Sequence, residues 1–251
     1  MTARPRAVGA LIIGDELLTG KRADKHLPHV IATLGARGIT LDYAQYLGDD
    51  RDRLTAVLRE TLARDDVVFS FGGIGARPDD HTSQACAAAL GVPLALHPEA
   101  VREIEARFGA DAYPHRVLMA EFPAGARIIP NPFNRIAAFA VRDHHFFPGF
   151  PQMAWPMLDW VLATWLPDLS RERPIERAVV VRDAGESQLL SLMDAVTAAH
   201  PDVKLFSLPT LLPDGGRRLE LGVRGLARDV EPAFAALSAG VVASGFPWEP
   251  L

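Results

Sequence analysis

Apolar residues along this chain come in two alternating kinds of segment. Short unbroken runs at residues 7–13 and 67–71 have the composition of strands buried on both faces, and residues 39–46 and 92–96 read as two more strands. Between them the apolar spacing is that of helices. Residues 26–37 form one such stretch, closed by Gly38. Residues 51–63 form another, with Leu54, Val57, Leu58 and Leu62 on one face, and residues 83–90 a third. Alternation of this kind predicts βαβ units, hence an α/β fold with a mostly parallel sheet covered on both faces. Residues 98–113 continue as an amphipathic helix. Residues 127–131 and 137–141 read as strands around the turn Asn131-Pro132-Phe133-Asn134. His145 to Phe147 feeds Pro148-Gly149-Phe150-Pro151, and a helix over residues 152–165 follows, rich in Trp, Met and Leu, whose aromatics read as core or subunit contact.

The polar stretch 167–174 carries two prolines and marks a boundary, giving domains at 1–170 and 171–251. Beyond it the order is strand (178–181), helix (188–199), strand (203–208), strand (219–223), helix (230–243). That βαββα order predicts a small α+β domain, with Asp214-Gly215-Gly216 as a hairpin signal.

Composition narrows the function. The 251 residues are 49% hydrophobic and 23% charged with net charge −5, so no basic surface for nucleic acid or an anionic membrane is expected. One cysteine, Cys86, excludes an internal disulfide and fits a reducing compartment. Its helical apolar setting marks it as buried and inert. The run at 7–13 is too short for a signal or membrane helix, so a cytoplasmic location is expected.

The chemistry concentrates where strands end. Gly72-Gly73-Ile74-Gly75-Ala76-Arg77-Pro78-Asp79-Asp80-His81-Thr82 is strand, glycine loop and helix N-terminus in sequence. Glycines let backbone N–H groups approach a ligand, and a helix N-terminus favours anions. Two carboxylates there would repel a phosphate unless a divalent cation bridges them. The loop therefore predicts a small phosphorylated ligand with a Mg²⁺-type ion, against the plainer reading of a βα turn with a capping Asp. Gly14-Asp15-Glu16 and Gly48-Asp49-Asp50 fall at two other strand ends, and all three acidic clusters can converge on one crevice beyond the sheet. Asp80 can equally be an N-cap before Thr82, and Asp49 and Asp50 can cap the helix from Arg51. His26 and His29, with Asp24 nearby, are either a solvated helix face or a transition-metal pair. No Gly-x-Ser-x-Gly elbow or P-loop lysine is present.

Four motifs together carry a family resemblance: Gly14-Asp15-Glu16-Leu17-Leu18-x-Gly20, Gly48-Asp49-Asp50, the loop from Gly72 to Thr82, and Pro148-Gly149-Phe150-Pro151. In order and spacing, residues 7–166 resemble the MoaB/Mog-type molybdopterin-binding domain, and within it the N-terminal part of the CinA family. Residues 171–251 resemble the small middle domain of CinA proteins, including Gly185-Glu186-Ser187. Within these 251 residues the CinA amidohydrolase domain is not expected.

The resemblance implies a three-layer αβα sandwich that binds a pterin phosphate, molybdopterin, with a link to molybdenum cofactor biosynthesis. By the same resemblance Asp49 and Asp80 match aspartates implicated in adenylyl transfer. Asp15, Asp49 and Asp80 would hold Mg²⁺. Gly14, Asp15, Gly72, Gly73, Ile74, Gly75, Arg77, Asp79, His81, Thr82, Pro148 and Gly149 would line the ligand site. A metal-dependent pyrophosphatase acting on ADP-ribose-like dinucleotides, and a non-catalytic oligomeric binding protein, are the alternatives it implies. A homo-oligomer, a dimer before a trimer, is expected. Departures from the family pattern lie at Ile74, at Ala76-Arg77, at Asn134-Arg135-Ile136-Ala137-Ala138, and at Gln152-Met153 in place of an early Glu.

Overall fold

A computed structural model gives the structure of the chain, described for residues 6–212 and 215–251. The chain divides into two compact units, Met1–Ser170 and Arg171–Leu251.

The first unit is built on a six-stranded sheet in the order β2-β1-β3-β8-β7-β6. The strands are β1 (Val8–Ile13), β2 (Tyr43–Leu47), β3 (Val67–Phe71), β6 (Arg127–Ile129), β7 (Ala138–Val141) and β8 (His144–Phe147). β2, β1, β3 and β8 run parallel, while β7 and β6 add an antiparallel edge. The layers follow from the two-residue period of a strand. Leu11, Ile13, Val68, Phe139 and Phe146 point to one face, where α3 (Arg51–Ala63), α4 (Thr82–Leu90) and α5 (Pro98–Phe108) lay down Leu54, Leu58, Cys86 and Ile104. Val8, Ile12, Phe69, Phe71 and Phe147 point to the other, under α2 (His26–Gly35) and α6 (Pro151–Thr164). The result is the αβα arrangement expected from the alternating pattern.

Because the central strands are parallel, their C-terminal ends share one edge of the sheet. Gly14, Gly48, Gly72 and Pro148 leave the sheet there, each one residue past its strand. The one-turn helix α1 (Asp15–Leu18) follows Gly14.

Several elements differ from expectation. The helix expected over 98–113 stops at Phe108, because Gly109 turns the chain at φ 56°, and two short 3₁₀ turns follow. A strand pair, β4 (Leu94–Leu96) with β5 (Glu121–Pro123), includes a strand not read from the sequence. β2 begins at Tyr43, four residues later than expected. One face of α6 is spent inside the unit, with Met157, Leu158, Val161 and Leu162 buried. Cys86 is fully buried, and burial pushes its thiol pKa up.

The second unit is an antiparallel sheet, β10-β11-β9-β12, with α7 (Leu190–Ala199) and α8 (Ala227–Ala243) contributing to its core. β9 is Ile175–Arg182, β10 is Lys204–Leu211, β11 is Arg217–Gly225 and β12 is Trp248–Pro250. β10 and β11 form the expected hairpin, whose Asp214 lies outside the described residues. β12 was not expected, so the order is βαββαβ. Among the described residues no helix is long and apolar enough to cross a membrane.

Candidate ligand site

The glycine loop is held open by its own residues. Gly72 ends β3 at φ 106°, and a Cβ there would lie 2.2 Å from the carbonyl oxygen of Ile13. Gly73 sits at φ 68°, where a Cβ would lie 2.3 Å from Thr82 Oγ1. Only glycine fits either position. Thr82 is fully buried and latches the loop: its hydroxyl donates to Gly72 O at 3.0 Å and its amide to Gly73 O at 2.9 Å. Asp80 braces the other end, its Oδ2 accepting from the Arg77 amide at 2.9 Å. Between these ties, the amides of Gly73, Ile74, Gly75 and Ala76 meet no protein acceptor among the described residues. A run of free N–H groups ahead of a helix N-terminus is an anion-binding concavity.

This loop forms one wall of a cleft of about 320 Å³. The opposing wall is apolar, made by Met119, Ile136, Ala137, Phe150 and Met153, with Asn134 among them. That wall is positioned by amide side chains. Asn131 Nδ2 donates to Asn134 Oδ1 at 2.8 Å and to Ile136 O at 3.0 Å, and Asn134 Nδ2 donates to Met153 Sδ at 2.9 Å. Pro148 and Gly149 close the cleft from β8. Gly149 and Phe150 also border a second cleft, of about 390 Å³, on the α2 side.

The family model described as "Probable molybdopterin binding domain" matches residues 9–169. The chain belongs to that family. A CinA-like protein of Anaeromyxobacter sp. (strain Fw109-5) is 37% identical over an alignment of 201 residues that covers 76% of this chain and 49% of the relative. A CinA-like protein of Chlorobium luteolum is 31% identical over an alignment of 243 residues that covers 91% of this chain and 55% of the relative. The chain thus spans about half the length of these curated relatives. The crystal structure of the protein CinA with unknown function, from Thermoplasma acidophilum, matches at a TM-score of 0.58 and 25% identity, over 66% of this chain and 100% of that one.

In this molybdopterin-binding domain the expected site residues fall into three groups. Gly73, Ile74, Gly75, Arg77, Asp80, Pro148 and Gly149 line the loop cleft. Asp15 and Asp49 sit beside each other at the ends of β1 and β2, in a reciprocal clasp. The Asp15 amide donates to Asp49 Oδ2 at 3.0 Å, and the Asp49 amide to Asp15 Oδ1 at 3.2 Å. Gly14, Gly72, Asp79, His81 and Thr82 do not line the cleft.

Electrostatics tie the acidic groups together. Partial burial, then the charges of Asp15, Glu16 and Asp79, raise the Asp49 pKa above the usual carboxylate value. Arg77 does not face the cleft as a free cation: it is paired with Asp79, and the guanidinium holds the Asp79 carboxyl below its usual value.

Four expectations are corrected. Asp80 is no N-cap: His81 holds that position without a side-chain cap, and Asp80 bonds back to Arg77. It also does not join Asp15 and Asp49, and among the described residues no group of three or more His, Cys, Asp or Glu is placed to hold a metal ion. The three-carboxylate site is therefore not assembled. Of the two aspartates before α3, only Asp50 caps it, accepting from the Arg53 amide at 2.7 Å. Nor do His26 and His29 form a solvated helix face: His26 is buried and stacks on Phe71 at 4.7 Å, and the half-buried His29 stacks on Trp155 at 4.1 Å. The sequence did not mark Asn134, Ile136, Met119, Phe150 or Met153 as cleft residues. The available signal was that two of the departures from the family pattern fall among them.

Proposed function

We propose that this chain binds a phosphorylated pterin of the molybdopterin kind in the loop cleft, as part of molybdenum cofactor chemistry. The observation that carries the reading is the pairing of four unspent loop amides with an apolar wall across a cleft of about 320 Å³. The amides take the phosphate, and Ile136, Met119 and Met153 take the flat ring system. Membership of the molybdopterin-binding family supports the ligand class.

The acidic rim fits a divalent cation as a two-carboxylate half-site. Asp15 and Asp49 each spend one oxygen on the other's amide, leaving one apiece. Mg²⁺ commonly takes one or two carboxylates and completes its shell with phosphate and water. Such an ion, when bound, would neutralise phosphate charge beside Glu16 and Asp79. Asp49 and Asp15 orient it, and Asp80 keeps the loop amides in place.

Calorimetric titration with molybdopterin, AMP and ADP-ribose, with and without Mg²⁺, tests the reading. Saturable binding of molybdopterin, strengthened by Mg²⁺, is expected. Binding of none of the three overturns it. The raised proton affinity of Asp49 in its acidic surroundings favours a second reading, metal-dependent cleavage of a dinucleotide pyrophosphate. AMP released from ADP-ribose only when Mg²⁺ or Mn²⁺ is present, and lost in Asp49→Asn, is the outcome it requires.

A further inference from the structure

The loop cleft is short of positive charge. Among the described residues that line it, Arg77 is the one cation and Asp80 the one carboxylate. Asp80 has an oxygen on the Arg77 amide. Carboxylates crowd the rim, where Asp49 feels the charges of Asp15, Glu16 and Asp79. A phosphate on the amides of Gly73 to Ala76 therefore enters a negative field, and Arg77 is the side chain of the lining that can offset it.

That guanidinium is engaged with Asp79. Arg77 Nε donates to Asp79 Oδ1 at 2.9 Å and a terminal guanidinium nitrogen donates to Oδ2, so the two groups meet fork to fork. Asp79 itself lies outside the cleft lining, so the pair straddles the rim, one member in the cleft and one beyond it. The two side chains are 72% and 51% exposed. An ion pair this open contributes little, and its cation can change partner at little cost. A phosphate offers the guanidinium the same two-oxygen edge as a carboxylate. Arg77 also falls at one of the departures from the family pattern, at Ala76-Arg77.

We propose that Arg77 and Asp79 form an exchangeable ion pair: Arg77 leaves Asp79 for the phosphate of the ligand and sets the affinity of the cleft for a phosphate dianion. This rests on the reading of the glycine loop as the phosphate site. Arg77 is then a specificity-determining residue. Asp79 is a positioning residue that holds the guanidinium at the rim and competes with the ligand for it.

The test titrates the whole chain with inorganic phosphate at pH 8, where a phosphate is mostly the dianion, with a chelator present so that no divalent cation contributes. Binding is measured by calorimetry, and the side-chain ¹⁵N signal of Arg77 Nε is followed. Saturable binding that moves the Nε signal is expected. Arg77→Gln should bind phosphate about tenfold more weakly, the scale of one charge-assisted hydrogen bond. Arg77→Lys keeps the charge without the fork and should fall between the two. Asp79→Asn should bind about threefold more tightly, the scale of an exposed ion pair. Simple relief of repulsion would give a gain of the same sign, so Asp79→Asn is also combined with Arg77→Gln. Exchange requires the gain to vanish in that double variant. An unmoved Nε signal, an unchanged affinity in Arg77→Gln, or a gain from Asp79→Asn that persists in the double variant overturns the proposal and leaves the loop reading in place. Failure of the wild type to bind phosphate overturns it too, and the loop reading then falls only if molybdopterin also leaves the loop amides unmoved.

Discussion

His145 lies in the middle of the first unit's sheet, opposite Phe69 on β3 and Ala140 on β7, and is 0% exposed. It stacks on Phe69 at 5.5 Å, and among the described residues neither ring nitrogen has a partner with hydrogen-bond geometry. Burial drives its pKa down from 6.5 to about 4. A histidine whose folded pKa is lowered stabilises the fold while it is neutral, above the unfolded value. That contribution is lost as pH falls from about 6.5 towards 4, because the unfolded chain takes up the proton first. The drop from 6.5 to about 4, at about 1.4 kcal/mol per unit, sets the full loss near 3 kcal/mol. By pH 5 about 2 kcal/mol of it should be gone. His144, with Nε2 2.9 Å from Thr61 Oγ1 and a pKa also near 4 through burial, adds a similar term. The assay is urea unfolding at pH 7.5 and pH 5, followed by tryptophan fluorescence, since Trp155, Trp160 and Trp165 all report on this unit. In His145→Phe the acid penalty should shrink by about 2 kcal/mol. Stability at pH 7.5 should be retained, because the substitution removes two unpaired nitrogens and keeps an aromatic ring on Phe69. An acid penalty equal to that of the wild type would refute the reasoning.

Gly73→Ala puts a methyl 2.3 Å from Thr82 Oγ1 at a positive φ, so it should cost about 1–3 kcal/mol in unfolding experiments and abolish ligand binding together with the latch. Asp50→Ala removes the α3 cap and should cost about 1 kcal/mol while leaving ligand affinity within twofold. Cys86 should resist a thiol reagent in the native state and react only on unfolding; fast native reaction would contradict its burial.

What the sequence disclosed and what it hid have separate physical causes. The parallel core was readable because runs such as Val67–Phe71 are buried on both faces, and the intervening helices carry a clear apolar stripe. β5 and β12 were not: Glu121–Pro123 and Trp248–Pro250 are three residues each and owe their strand form to a neighbouring strand rather than to a pattern of their own. The position of the glycine loop at a strand end followed from the spacing. Which of its groups stay free did not, because Asp80 as an N-cap and Asp80 as a brace on Arg77 present the same residues in the same order. His26 was hidden for a similar reason. One helical position can face solvent or a cleft, and the Gly149 carbonyl that decides the matter lies 123 residues away in sequence.

The central claim is that the amides of Gly73, Ile74, Gly75 and Ala76 hold a ligand phosphate. Titration of the ¹⁵N-labelled chain with molybdopterin in the presence of Mg²⁺, read by amide correlation spectra, tests it directly. The account predicts saturable shifts that are largest at these four amides, with smaller changes at Ile136 and Met153 on the opposing wall. Saturable binding that leaves the four amides unmoved would contradict it.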